Sequence, residues 1–186
     1  MFHNLDNNRK ETSLNEWRLL PVFAEGENIL RLVEHIVEYI ELSDRSFLSI
    51  EQKETLDYYI EDMMESAILI PVKIARAHCA DLYDIKMESA TLIRKYARDI
   101  LININGLTIN GFKDLEFLEL LHKSILSFRL LFAQWVSEFD PKEAVIDPWG
   151  LFNIHKIPTD QLPEEDTFVY PKHNPLNSFN PPKKNN

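Results

Sequence analysis

The sequence has little of several features that large functional classes require. Of 186 residues only Cys79 is a cysteine, so no disulfide can form within the chain, and the four scattered glycines provide no phosphate-binding loop. The longest uncharged run, residues 100–112, is 13 residues long and includes three asparagines and two glycines. A membrane span requires roughly 18 apolar residues, and the polar first residues lack the apolar segment of a secretory signal peptide. We therefore expect a cytoplasmic protein without a membrane span.

The motifs of common catalytic classes are also missing. There is no Gly-x-Ser-x-Gly, no Walker-type lysine loop and no His-Glu-x-x-His. His78 stands beside Cys79, but adjacent residues of a helix point about 100° apart, and no nearby Asn or Asp pattern completes a nucleophilic triad. The sequence therefore predicts a protein that is not an enzyme and that needs no cofactor.

The chain is strongly acidic, and its charge is unevenly distributed along the sequence. Thirty Asp and Glu outnumber 20 Lys and Arg, for a net charge of -10; residues 1–72 carry -9, residues 73–99 carry +2 and the remainder carries -3. Because nonspecific nucleic-acid affinity comes from neutralised phosphates, such a chain is a poor candidate for general duplex binding. A nucleic-acid patch stays open only in the basic stretch, at Arg76, Arg94, Lys95 and Arg98.

Four segments have the periodicity of amphipathic helices, and no segment alternates like a strand. We predict helices near 25–42, from a Ser49 capping box to about Cys79, from an Asp81 N-cap to a stop at Asn105-Gly106, and over about 112–139. The fourth has the widest apolar stripe, which predicts that it is the most buried. The apolar positions expected in the core are Ile29, Leu32, Val33, Ile36, Val37 and Ile40 in the first helix, Leu56, Ile60, Met63, Ala67, Ile70 and Ile74 in the second, Leu82, Ile85, Ser89, Leu92, Tyr96, Ile100 and Asn103 in the third, and Leu118, Leu121, Ile125, Phe128, Phe132, Trp135 and Phe139 in the fourth.

Short connections between long helices predict an all-α, antiparallel up-and-down four-helix bundle over 25–140. Residues 1–24 form an N-terminal arm with a short helix before Pro21 in this prediction. Eight of the ten prolines follow residue 139, so residues 141–186 are expected to be an irregular, Pro-rich tail with a disordered end. Pro71 lies inside the second predicted helix, where we expect a kink.

Two local resemblances support a helical fold. The segment Ala67-Ile-Leu-Ile-Pro-Val-Lys-Ile-Ala75 resembles the Ser-Ile-Pro-x-Asn-Ile-Ala stretch of the intervening-sequence four-helix-bundle proteins, with Lys73 in place of the Asn. That resemblance implies a small oligomeric bundle in a family with some links to RNA or reverse transcriptases, and no function is transferred from it. The run Asp81-Leu-Tyr-Asp-Ile-Lys-Met-Glu-Ser-Ala-Thr-Leu-Ile-Arg94, with Trp149-Gly-Leu-Phe-Asn153, resembles an uncharacterised family of bacterial helical proteins.

A metal site is a weak alternative. Carboxylate-bridged metal bundles use two Glu-x-x-His pairs, because side chains at i and i+3 converge on one metal. This chain has one such pair, Glu119 and His122, and His35 of the first predicted helix could lie at the same level. Solvated or interface histidines are the competing interpretation.

Two surfaces are candidates for binding another protein. One is the apolar segment around Trp149, Leu151 and Phe152, which either packs against its own bundle or reaches a partner or a second subunit. The other is the acidic face of the second predicted helix, which consists of Glu51, Glu54, Asp57, Glu61, Asp62 and Glu65. Such a face is either simply solvated or docks a basic partner. The sequence thus favours a non-enzymatic bundle that acts through protein contacts, including self-association; a nucleic-acid-associated bundle and a metal-dependent enzyme are the alternatives.

Overall fold

A computed structural model describes residues 16–110, 112, 115–146 and 151–152, and their secondary structure is helical, without a strand. The helices are α1 (Pro21–Leu42), α2 (Ile50–Cys79), α3 (Tyr83–Ile109) and α4 (Leu115–Ser137), with 3₁₀ turns at Glu16–Leu19 and Pro141–Glu143. The all-helical, four-helix prediction is therefore confirmed. The chain divides into two units, Met1–Val145 and Ile146–Asn186, and all four helices belong to the first unit. Most of the predicted tail lies outside the described residues.

Helix α1 begins four residues before the predicted start. Pro21 occupies its first turn, where a missing N–H costs no hydrogen bond and the fixed φ suits the helix. The preceding short helix is the 3₁₀ turn Glu16–Leu19, whose Trp17 ring packs edge-on against Phe23 with centroids 4.6 Å apart. Pro21 therefore opens α1 rather than only ending the segment before it.

Helix α2 begins as the sequence predicts, with a complete capping box. The Ser49 hydroxyl accepts a hydrogen bond from the Gln52 backbone N–H (3.2 Å), and the Gln52 side-chain oxygen accepts one from the Ser49 N–H (2.9 Å). The helix continues through Pro71, which is buried, to Cys79. Three residues then connect it to α3, the neighbour with which it packs most extensively.

The predicted ends of the third helix are wrong. Asp81 does not cap α3, because the residue before its first turn is Leu82, which offers no side-chain cap. Gly106 does not stop the helix, which continues to Ile109. Gly106 is instead buried against the ring of Tyr59 of α2, so its missing side chain serves close packing and not a turn.

Helix α4 is not the most buried helix, contrary to the width of its apolar stripe. Leu120 and Leu130 are exposed, at 49% and 70% of their surfaces, and Phe117 and Leu126 are also exposed. Helix α4 packs against α1 and α3 and has little contact with α2, so only part of the wide stripe meets a neighbour. The inner positions of the stripe, including Leu121 and Phe128, are buried as predicted.

The core is formed by the predicted apolar stripes of all four helices. The predicted residues that are buried are Ile29, Val33, Ile36, Ile40, Ile60, Met63, Ala67, Ile70, Ile74, Ser89, Ile100, Asn103, Leu118, Leu121, Ile125, Phe128 and Trp135. Leu32, Val37, Leu56, Tyr96, Phe132 and Phe139 are partly buried against them. In α3 the buried stripe also includes Ala90, Ile93, Ile104 and Leu107, which shifts its centre by about one residue from the prediction.

Buried polar side chains are hydrogen-bonded across two of the helix interfaces. At the α1–α4 interface, the Ser124 hydroxyl donates to Glu25 Oε1 (2.5 Å) and accepts from Asn28 Nδ2 (3.1 Å). At the α2–α3 interface, the side-chain amide of Asn103 donates to Asp62 Oδ2 (2.6 Å). Ser124 and Asn103 are buried, so these bonds satisfy polar groups that would otherwise be costly to bury.

Candidate functional site

A solvent-open groove of about 620 Å³ lies between α1 and α2. Its apolar floor comes from Val37 of α1 and from Ile60, Met64, Ile68 and Leu69 of α2. Ile60, Met64 and Ile68 are spaced by four, so one of them appears at each turn of the helix. Ile60 is buried, Val37 and Met64 are partly buried, and Ile68 exposes 46% of its surface. The floor therefore becomes more accessible toward Ile68.

The rim of this groove is acidic. Glu41 stands on the α1 side, and Asp57, Glu61 and Glu65 stand on the α2 side. Arg45 is the one basic residue among the described groove residues. Four carboxylates against one guanidinium leave the groove about three charges negative at neutral pH.

Arg45 closes one end of the groove and is held there by two contacts. Its Nη2 donates to Asp57 Oδ1 (2.5 Å) and to the Lys53 backbone carbonyl (3.4 Å). Because Arg45 is in the connection between α1 and α2, these bonds tie that connection to the first turns of α2. The Asp57 charge is thereby compensated, and the remaining negative charge of the groove belongs to Glu41, Glu61 and Glu65.

The connection itself is ordered by local hydrogen bonds. The Asp44 carboxylate accepts from the Ser46 backbone N–H (2.9 Å), and this bond is the main reason that the pKa of Asp44 is below its ordinary value of 3.8. The Ser43 hydroxyl donates to the Ile40 carbonyl (2.7 Å). These contacts terminate α1 and direct the chain toward Arg45.

The structure divides the acidic face that the sequence predicts on α2. Asp57, Glu61 and Glu65 line the groove, whereas Asp62 points to α3 and pairs with Asn103. Glu51 and Glu54 are exposed beyond the groove. Of the six predicted acidic residues, three therefore line the groove, one forms a hydrogen bond between helices and two are exposed to solvent.

The apolar floor is the part of the site that the sequence analysis missed. Val37 and Ile60 were placed in core stripes, and Met64 and Ile68 had no assigned role. The available signal was that Met64 and Ile68 are apolar at i and i+4 beside the predicted seam, where each follows an acidic residue, Glu61 or Glu65, by three positions. An apolar row flanked by acids on a helix is what the structure places beside α1.

A second hollow, of about 340 Å³, lies at the end of the unit where α1 and α3 finish. Its apolar lining includes Tyr39, Phe47, Leu56 and Phe112. Tyr39 also packs edge-on against Phe112, with centroids 6.0 Å apart. Arg45 lines both this hollow and the groove.

The candidate nucleic-acid residues lie on α2 and α3, and two of them are already in ion pairs. Arg76 contacts Glu88 (3.6 Å), and Lys95 contacts Asp99 (2.6 Å), which raises the pKa of Lys95. Arg94 and Arg98 are exposed on α3. The patch stays a prediction, with part of its positive charge compensated within the protein.

The metal candidates Glu119 and His122 are exposed on α4, and His35 is exposed on α1, where its Nδ1 lies 2.6 Å from the Arg31 carbonyl oxygen. Within residues 16–110, 112, 115–146 and 151–152, no three His, Cys, Asp or Glu side chains are grouped as a metal would require. The metal site stays a prediction without a described ligand cluster.

Of the apolar segment proposed as a partner site, Leu151 is exposed and Phe152 is partly exposed. Trp149 lies outside the described residues, so this prediction also remains open.

None of the helices in the described part of the chain has the length and apolar composition of a membrane span. Comparisons with protein-family models, with curated proteins and with solved structures return no match.

Proposed function

We propose that this is a non-enzymatic cytoplasmic protein, built as an antiparallel up-and-down four-helix bundle, that acts by binding other proteins in the groove between α1 and α2. Its partners include, in this proposal, a second copy of the chain at another surface, the segment of Trp149, Leu151 and Phe152. The bundle supplies a rigid frame, and the groove supplies the binding surface.

The antiparallel arrangement is supported by contacts in which residue numbers rise along one helix as they fall along its neighbour. Between α2 and α3 the pairs are Tyr59 with Gly106, Asp62 with Asn103, and Arg76 with Glu88. Between α1 and α4, Glu25 meets Ser124 and Tyr39 meets Phe117. Such pairing is expected when consecutive helices reverse direction.

The single observation that carries the binding proposal is an apolar groove floor left open to solvent within a carboxylate rim. Ile68 exposes 46% of its surface on α2, where a merely solvated helix face would carry a polar side chain, and the partly buried Met64 precedes it by one turn. Apolar surface enclosed by polar groups is the usual composition of a protein interface, with a core that excludes water and a polar rim. The described residues of the groove contain no constellation of nucleophile, base and oxyanion donor, so binding is the chemistry that its side chains support.

The test is a quantitative capture experiment with three forms of the full chain: the unmodified protein, Ile68→Arg and Ile102→Arg. Ile68 lies in the groove, whereas Ile102 is exposed to a similar extent (58%) on α3 and is the matched control. We expect specific proteins to be retained by the unmodified chain and by Ile102→Arg but lost with Ile68→Arg. Equal retention by all three forms, or no retention by any, would contradict the proposal.

Self-association is tested separately by light scattering after size-exclusion chromatography. We expect the full chain to be oligomeric and a chain ending at Asp140 to be monomeric, because the shorter chain lacks Trp149, Leu151 and Phe152. A full chain that is monomeric at every concentration would remove the self-association part and leave the groove proposal standing.

A further inference from the structure

We infer that the occupant of the groove is a single amphipathic helix of a partner protein, with an apolar stripe flanked on both sides by Lys or Arg. The inference rests on the proposed binding function and specifies its partner chemistry. It depends on the length of the groove, the spacing of its floor and the position of its charges.

The length of the groove matches a short helix. On α2 the lining from Asp57 to Leu69 spans 12 steps, or about 18 Å at 1.5 Å per residue. A helix of about 12 to 14 residues covers that distance in three to four turns. An extended strand would have no partner for its backbone hydrogen bonds on a helical surface, whereas a helix satisfies its own.

The floor offers one apolar contact per turn. Ile60, Met64 and Ile68 succeed one another at intervals of four residues, and Val37 faces them from α1. A docked helix would therefore present apolar residues at i, i+4, i+7 and i+11, the usual anchors of a helix in a groove. Met64, an unbranched and flexible side chain, can adapt to the shape of those anchors.

The charges on the two walls require cations on both flanks of the occupant. Glu41 borders the groove on the α1 wall, and Glu61 and Glu65 border it on the α2 wall. The fourth carboxylate, Asp57, is compensated by Arg45. A partner with acidic flanks, or a nucleic acid, would meet the uncompensated like charge of Glu41, Glu61 and Glu65.

The same electrostatics disfavour a second copy of the chain as the occupant. The groove walls are acidic and the chain carries a net charge of -10, so a second copy is repelled from this particular groove. A basic segment of another protein is instead attracted before contact, which speeds association at low salt. The occupant is therefore a heterologous basic helix rather than the chain itself.

The test uses three labelled 14-residue peptides that share one leucine stripe and differ only in their flanks, which are Lys, Gln or Glu. Their binding to the full chain is measured by fluorescence anisotropy at low and at high salt. Two triple variants are compared: Glu41→Gln/Glu61→Gln/Glu65→Gln in the groove, and a control with the same charge change at exposed glutamates outside the groove. The control variant is Glu27→Gln/Glu116→Gln/Glu138→Gln. Circular dichroism verifies that each variant is folded.

We expect the Lys-flanked peptide to bind most tightly and the groove triple variant to weaken it about tenfold at low salt, since each exposed pair contributes modestly. The control triple variant should bind nearly as the unmodified chain does. Ile68→Arg should abolish binding, and Ile102→Arg should not. High salt should reduce the difference between the Lys-flanked and Gln-flanked peptides.

Several outcomes would overturn the inference. Equal binding of the Glu-flanked or Gln-flanked peptide would show that the groove does not select cations, although groove binding itself would stand. Lys-peptide binding that survives Ile68→Arg would be nonspecific attraction to an acidic protein. A dimer of the full chain that Ile68→Arg dissociates would assign the groove to a second copy. If no peptide binds while capture still depends on Ile68, the partner chemistry is wrong and the proposed function remains; if capture also fails, both are wrong.

Discussion

Replacing Gly106 by alanine tests whether this glycine is a packing residue. A Cβ atom at position 106 would lie 2.5 Å from both Cε1 and Cζ of the Tyr59 ring and 3.0 Å from Cδ1. Carbon atoms prefer about 3.5–4.0 Å, so the ring would have to move by about 1 Å within the α2–α3 interface.

The expected magnitude combines two opposing terms. Alanine is favoured over glycine in a helix interior by about 1 kcal/mol, and Gly106 lies within α3. Overpacking of a close interface costs about 1–3 kcal/mol. We therefore expect Gly106→Ala to lower the free energy of unfolding by up to about 2 kcal/mol, measured by urea unfolding followed at 222 nm.

A double-mutant cycle identifies the cause. In a Tyr59→Ala background the steric term vanishes, so Gly106→Ala should raise the free energy of unfolding by about 1 kcal/mol. In a Tyr59→Phe background the ring atoms remain, and Gly106→Ala should destabilise as it does in the unmodified chain. If glycine were needed as a left-handed helix stop, the cost would be the same in all three backgrounds. That result would refute the packing explanation.

Three further predictions concern single polar contacts. Ser49→Ala should lower the free energy of unfolding by about 1 kcal/mol in urea, because α2 loses its cap; no change would mean that the capping box is unimportant. Asn103→Ala should cost about 2 kcal/mol, since it leaves the Asp62 carboxylate without its donor; a loss below about 0.5 kcal/mol in the same assay would contradict this. The pKa of Asp44 is lower in the folded protein than its ordinary value of 3.8. Asp44 therefore contributes its full stabilisation above pH 3.8, and this stabilisation is lost as the pH falls through the pKa of the folded state. Asp44→Asn should therefore flatten the acid decline in stability, and an NMR titration of Asp44 at or above 3.8 would disprove it.

The sequence could predict the helices and most of the core because a stripe with a period of 3.6 residues records burial directly. Helix ends were less predictable. Gly106 has the appearance of a stop, but the Tyr59 ring from another helix uses its missing side chain, and a tertiary contact of this kind leaves no local signal. The exposed Leu130 has the same explanation, since the width of an apolar stripe does not reveal which of its flanks meets a neighbouring helix.

The candidate site was half predictable for a similar reason. The acidic residues Glu61 and Glu65 are conspicuous in the sequence, and their exposure is expected from the helical period. The groove floor depends on how closely α1 approaches α2, and Gly26 of α1 lies against Ile70 and Ile74 of α2 in the core. Whether Ile68 is covered or open is a property of this tertiary packing, which a local sequence pattern does not record.

The hydrogen bonds of Ser124 have a consequence for the order of folding. They join residues 99 and 96 positions apart, Glu25 and Asn28, whereas the Asp62–Asn103 bond closes only 41 positions and a three-residue connection links α2 to α3. Closing a longer loop costs more conformational entropy, and this cost must be met before the contact that closes the loop can stabilise the chain. We expect the α2–α3 pair to form early and the α1–α4 interface to form after the main barrier. A substitution at Ser124 should then accelerate unfolding and leave the folding rate nearly unchanged. The contacts of Ser124 therefore help to set the lifetime of the native state.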